Sequence, residues 1–142
     1  MGKNNIPLLT IVRGFPGSWK TTYGRKLAAK QNALFVEPDM FLYGWDGKYI
    51  YTKEEFTCAI ERSIMTLNDY FTNGGKWAVY ADVLPKRVNV IRFAAVIRDY
   101  RSCDFRVNDM PKITYEESKA RNVHNVCEED LKRMFEQWED WQ

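Results

Sequence analysis

Gly14-Phe15-Pro16-Gly17-Ser18-Trp19-Lys20-Thr21 follows the apolar, β-branched run Leu8-Leu9-Thr10-Ile11-Val12-Arg13 and precedes a segment rich in helix formers. The pattern G-x-x-x-x-G-K-[ST] between a strand and a helix describes a loop whose backbone N–H groups cradle phosphates. The first glycine, the lysine and the threonine are present; tryptophan stands where the second glycine belongs. A helix N-terminus behind such a loop adds a dipole favourable to anions. Lys20 would reach the terminal phosphates of a nucleotide, and the Thr21 hydroxyl would hold Mg²⁺. Gly14, Pro16, Gly17, Ser18, Trp19, Lys20, Thr21 and Thr22 are the candidate nucleotide-binding residues, with ATP and Mg²⁺ as the implied cofactors.

Trp19 leaves three placements open. An indole turned inward would occupy the phosphate position and block it. An indole turned outward would leave the loop usable and could stack on a base. The third placement is plain packing against a neighbouring helix. A non-glycine residue in the left-handed conformation costs about 1–2 kcal/mol. Domains are stable by about 5–15 kcal/mol, so the fold tolerates that strain.

Outward from the loop, strand and helix patterns alternate. Lys20 to Gln31 reads as a helix with Tyr23, Leu27 and Ala28 facing inward, and Ala33 to Val36 as a second strand. Phe56, Ile60, Ile64, Leu67 and Phe71 recur at helical steps, and Asn73-Gly74-Gly75 ends that helix. Trp77 to Ala81 is a third strand ending at Asp82. Lys86 to Tyr100 is a basic helix, and Asp104 to Val107 a fourth strand. Thr114 to Asn122 and Glu128 to Trp141 are the last helices, the latter with a stripe of Leu131, Met134, Phe135, Trp138 and Trp141. The alternation predicts an α/β fold: a three-layer sandwich of the P-loop NTPase type, with a mostly parallel sheet of four to five strands. No repeat or linker interrupts residues 1–142, which are expected to form a single domain.

The 142 residues carry a net charge of +2, too little to indicate a nucleic-acid partner by itself. The charge is uneven: residues 112–142 hold five Lys/Arg against eight Asp/Glu, and the first 111 hold 16 against 11. Three widely spaced cysteines, Cys58, Cys103 and Cys127, argue against a disulfide framework or zinc site. His124 is the sole histidine. No apolar run is long enough to span a membrane, and no signal-peptide layout opens the chain. A soluble cytoplasmic protein is the expectation.

Four segments, in order, resemble the P-loop kinases grouped around the bacteriophage polynucleotide 5′-kinase domain and its small stand-alone relatives. They are Arg13 to Thr22; Glu37-Pro38-Asp39-Met40-Phe41; Asp46-Gly47-Lys48-Tyr49-Ile50-Tyr51; and Ser118 to Glu129, which is similar to an R-N-x-H-x-V-P-x-E lid. The resemblance implies Lys20 as phosphate lysine, Thr21 as Mg²⁺ ligand and Asp39 as general base. It also implies Asp82 in a metal-side acidic motif and Arg121 as the lid arginine meeting the transferring phosphoryl group. The chain departs from the family at Trp19, at Val83-Leu84-Pro85 after Asp82, at Leu42-Tyr43-Gly44 where an arginine is common, and at Cys127 in place of the lid proline.

Read without the family, Asp39 and Asp82 each follow a strand and so lie at the carboxyl edge of the sheet, where open α/β folds bind ligands. Structural alternatives exist for each: a turn cap for Asp39, a helix cap for Asp82, a solvated helix face for Arg121. His124 is expected to order the lid backbone. Lys86, Arg87, Arg92, Arg98, Arg101 and Arg106 form a basic stretch, either an ordinary solvated face or a contact for a polyanionic acceptor. Trp45, Tyr49 and Tyr51 flank Asp39, available to stack or pack.

The expected function is ATP-dependent phosphoryl transfer to a hydroxyl of a nucleic acid or small nucleoside-like acceptor. The alternative is a degenerate pseudokinase that binds protein or nucleic acid, with Trp19 as its motive. A homo-oligomer or a protein partner fits either reading.

Overall fold

A computed structural model describes residues 6–100, 103–122 and 126–142, with the side chains of 98–100 outside the described set. Arg101 and His124 also lie outside it, so their expected roles stay with the sequence.

The strands are β1 (Leu8–Arg13), β2 (Leu34–Val36), β3 (Trp77–Asp82) and β4 (Asp104–Asp109). The helices are α1 (Lys20–Gln31), α2 (Lys53–Thr72), α3 (Arg87–Tyr100), α4 (Tyr115–Ala120) and α5 (Glu128–Gln137). The four strands form one sheet in the order β2-β3-β1-β4, and every pairing is parallel. Such a sheet is covered on both faces, so its strands need apolar residues on both sides. Alternate residues of β1 and β3 supply them. Leu9, Ile11, Ala78 and Tyr80 pack toward one face, joined by Leu67 and Phe71 of α2 and Val90, Phe93 and Ala94 of α3. Val12, Val79 and Ala81 face the other side, against Ala28 of α1.

The inward face of α1 is narrower than its sequence implied. Gly24 and Ala28 are buried, whereas Tyr23 is exposed, its hydroxyl accepting from the Asn108 side-chain amide at 2.7 Å. The cause is close packing. A Cβ on Gly24 would sit 2.6 Å from the Phe35 ring, so only glycine lets α1 approach β2 this closely. At the other end of the chain, α5 stops at Gln137, because Trp138 takes an extended backbone with φ −61° and ψ 129°. Of the expected stripe only Leu131 is fully buried; Trp141 lies beyond the helix and packs edge-on against Phe105. The strand order places the chain reversal between β1 and β3. Their carboxyl ends, Arg13 and Asp82, are register partners and open the crevice where the site lies.

Candidate phosphate-binding and transfer site

Residues 14–19 link β1 to α1, and three contacts brace them. Phe15 is buried and stacks on Phe135 of α5, with ring centroids 3.8 Å apart and nearly parallel planes. Ser118 of α4 donates from its hydroxyl to the Pro16 carbonyl at 2.5 Å. Arg121, just past α4, donates to the Gly17 carbonyl at 3.1 Å. Gly17 has φ +83°, and a Cβ there would fall 2.8 Å from the Cβ of Arg121, so glycine is required twice over. Inside the loop, the Ser18 hydroxyl is buried and has no hydrogen-bond partner among the described residues.

Trp19 adopts the left-handed conformation that the missing glycine would have taken, with φ 67° and ψ 22°. Its side chain is 64% exposed, so the indole is not packed in the core. The guanidinium of Arg121 lies 5.6 Å from the indole centroid, a cation–π pair on the rim of the crevice. Of the three placements, the outward one holds. Arg121 is correspondingly not a freely solvated helix residue: the Gly17 carbonyl, Glu117 at 3.5 Å and Trp19 surround its guanidinium.

Lys20, Thr21, Glu37, Asp39 and Asp82 line one cavity of about 960 Å³ together with Trp19 and Arg121. Burial pushes the Lys20 ammonium below its ordinary pKa, and the charges of Asp82, Asp39 and Glu37 push back. Asp82 is buried and does not cap α3. It accepts the Tyr80 hydroxyl at 2.9 Å and the Val83 N–H at 2.7 Å. Desolvation raises its pKa to about 6, opposed by those two hydrogen bonds and by Lys20. Asp39 lies in a short 3-10 turn, Pro38–Phe41, directly after β2. Tyr49 donates its hydroxyl to Asp39 at 3.1 Å. Burial and the Asp39 charge raise the Tyr49 pKa well above the usual phenol value. The Asp46-Gly47 turn makes this contact: Asp46 accepts the Lys48 N–H, Gly47 takes φ +80°, and Tyr43 bridges Tyr49. Trp45, at the tip, is fully exposed and does not line the cavity.

Sequence reasoning missed two residues here. Glu37, at the end of β2, is buried and accepts the Thr21 hydroxyl at 2.7 Å. A carboxylate two residues before Asp39, at the same sheet edge, was the available signal. Arg13 is the other. It is fully buried, pairs with both carboxylate oxygens of Asp109 at 2.7 and 2.8 Å, and donates to the carbonyls of Leu84 and Glu139. Trp138 lies over its guanidinium at 4.3 Å. Arg13 thus ties the loop entrance to the β3–α3 connection and to the C-terminal residues. Among its described members the basic stretch is dispersed: Arg92 lines the cavity, Arg87 stacks over Trp141, and Arg106 lies on β4 in a separate cleft beside Trp77, while the Arg98 side chain and Arg101 lie outside the described residues.

No protein-family model and no curated protein matches this sequence. Solved structures do match it. A putative kinase from Chloroflexus aurantiacus superposes with a TM-score of 0.72 at 18% identity, over 94% of this chain and 76% of that one. Shikimate kinase from Acinetobacter baumannii gives a TM-score of 0.56 at 19% identity, over 94% of this chain and 75% of the other. The fold is that of the P-loop kinases. A chain of the Pnkp1/Rnl/Hen1 RNA repair complex shares it with a TM-score of 0.75 at 15% identity, covering 96% of this chain and 45% of its own length. The present chain therefore spans less than half of that larger chain. In this fold the sheet has four strands, the lower end of the expected range, and is wholly parallel. Among the described residues no helix is long and apolar enough to cross a membrane.

Proposed function

We propose that the protein transfers the γ-phosphoryl group of ATP to a hydroxyl of a small acceptor. One observation carries this reading: Lys20, Thr21, Asp39 and Asp82, from three separate segments, line a single cavity at the carboxyl edge of the sheet. The unpartnered Ser18 hydroxyl and the left-handed Gly17 support a phosphate cradle in residues 14–20. Thr21 and Asp82, which would hold Mg²⁺, present only oxygen donors, the chemistry that suits that ion. When bound, Mg²⁺ would neutralise phosphate charge. The ordered motifs also support a grouping with the bacteriophage 5′-kinase domain.

Asp39 takes the proton of the acceptor hydroxyl. The hydroxyl oxygen then bonds to the γ-phosphorus, the bond from that phosphorus to the bridging oxygen breaks, and ADP departs with the electron pair. Lys20 offsets charge on the phosphates. Arg121 meets the transferring group after leaving the Gly17 carbonyl. Tyr49 orients Asp39 by donating to one of its carboxylate oxygens.

The outward Trp19 removes the main motive for a degenerate, nucleotide-free module. The dispersal of Arg87, Arg92 and Arg106 supports a small acceptor, nucleoside-like in size, over a polynucleotide held along a basic track. Incubation with γ-labelled ATP, Mg²⁺ and a panel of small hydroxyl compounds, nucleosides and 5′-hydroxyl oligonucleotides tests the reading. Label transfer that disappears in Asp39→Asn is the expected result. ATP turnover absent with every acceptor and with water would overturn it.

A further inference from the structure

The wall of the cavity facing away from the phosphate loop has a chemistry of its own. The apolar stripe of α2 divides along its length. Leu67 and Phe71 are fully buried in the core, whereas Phe56, Ile60 and Ile64 are half-buried and line the cavity. Phe93 and Val96 of α3 face them across the same space. An amphipathic helix normally buries its whole stripe, so a half-stripe left beside the catalytic carboxylates marks a surface built for a ligand. Arg92, on α3 one residue before Phe93, is the cationic group of this wall; among the described residues it makes no ion pair. Leu84 closes the end nearest Asp82 and holds a left-handed backbone with φ 43°, directly before Pro85. Residues preceding proline favour extended backbone, so this conformation is maintained against local preference. The Arg13 guanidinium, donating to the Leu84 carbonyl at 2.8 Å, holds it there.

We infer that the cleft between α2 and α3 is the acceptor site, and that it selects a hydroxyl borne on a compact apolar ring with an anionic substituent. This rests on the phosphoryl-transfer reading, since that reading places the reacting hydroxyl at Asp39. Phe56, Ile60, Ile64, Phe93 and Val96 would cover the ring, and Arg92 would receive the anion. A polyol fits this wall poorly: Asn89 and Arg92 are the polar side chains that α3 gives it, and the remaining hydroxyls would lose water and meet carbon.

The test measures binding without nucleotide, so it is separate from phosphoryl transfer. Three probes are titrated and followed by saturation-transfer NMR: 4-(hydroxymethyl)benzoate, benzyl alcohol and gluconate. The carboxylated ring is expected to bind with a Kd on the order of 1 mM, the range for a ligand of this size. Benzyl alcohol should bind about tenfold more weakly, and gluconate not measurably. Arg92→Gln should weaken the carboxylated ring about tenfold and leave benzyl alcohol unchanged. Val96→Asp, at a partly exposed position that tolerates polarity, should abolish both ring signals. Gluconate binding equal to the aromatic probes, or aromatic binding indifferent to both variants, would overturn the inference. If the rings bind as described while no acceptor is ever phosphorylated, the transfer reading fails and the binding site stands.

Discussion

The Thr21 hydroxyl donates to the Glu37 carboxylate at 2.7 Å, joining the first turn of α1 to the end of β2. A hydroxyl that spends its proton on a buried carboxylate keeps its lone pairs for another partner, and Thr21 lines the cavity. On the phosphoryl-transfer reading, Glu37 is a positioning residue for Thr21. Glu37→Gln keeps the shape, but its amide can present a donor to Thr21 and reverse the bond. Outer partners of metal ligands are worth about 10–100-fold in affinity. The Mg²⁺ concentration giving half-maximal ATP binding is expected to rise at least tenfold in this variant, with ATP affinity restored at saturating Mg²⁺. An unchanged Mg²⁺ dependence would remove the role.

Trp19 gives a prediction that reverses a usual order. Trp19→Ala and Trp19→Gly both lose the indole and its contact with Arg121. Only glycine adopts φ 67° without strain. Trp19→Gly should therefore be more stable than Trp19→Ala by about 1 kcal/mol. Urea unfolding midpoints of the two variants measure the difference. The opposite order would mean that the loop relaxes out of the left-handed region.

Asp82 carries a pH signature. Its pKa is about 6 in the folded protein, against an ordinary value of 3.8. Between these values the native state holds a proton that the unfolded chain releases, so stability falls as pH rises through the window. That rise corresponds to about 3 kcal/mol. The stability of the wild type relative to Asp82→Asn should decline by roughly that amount from pH 4 to pH 7. Denaturant titrations across this range provide the comparison, and a flat difference would contradict the buried, desolvated Asp82.

Arg13 is a structural residue beside a functional loop. Breaking one partner of a fully buried ion pair costs about 3–5 kcal/mol, and less where the charge left behind, here the partly exposed Asp109, can hydrate. Arg13→Ala also removes the donors to Leu84 and Glu139 and the face of Trp138. A stability loss of about 3 kcal/mol is expected, with Asp109→Asn losing less because its amide oxygen still accepts from Arg13. Chemical denaturation of both variants checks the order.

The same residues explain how far the sequence could be read. The loop consensus and the strand before it located β1, the start of α1 and the parallel architecture, because each depends on spacing along a few consecutive residues. Asp39 and Asp82 could be placed at one sheet edge because each follows a strand. The partners of Arg13 could not be read, since Leu84 is 71 residues away and Glu139 is 126 away. Those distant bonds also draw residues 138–142 toward β3, which is why α5 ends before Trp138 although the apolar spacing continues to Trp141. Tyr49 was legible as an aromatic near Asp39, but its hydrogen bond depends on the Asp46-Gly47 turn folding it back. The half-exposed stripe of α2 looked uniform because periodicity reports a face and not what covers it.

The central claim is that the loop accepts nucleotide despite Trp19. Isothermal titration of the protein with ATP in millimolar Mg²⁺ tests it without knowledge of the acceptor. One-site binding with a Kd in the micromolar range is predicted, weakened at least 100-fold in Lys20→Ala and retained in Trp19→Gly. No detectable heat with the wild type at several temperatures, or wild-type affinity that survives the loss of Lys20, would contradict the account.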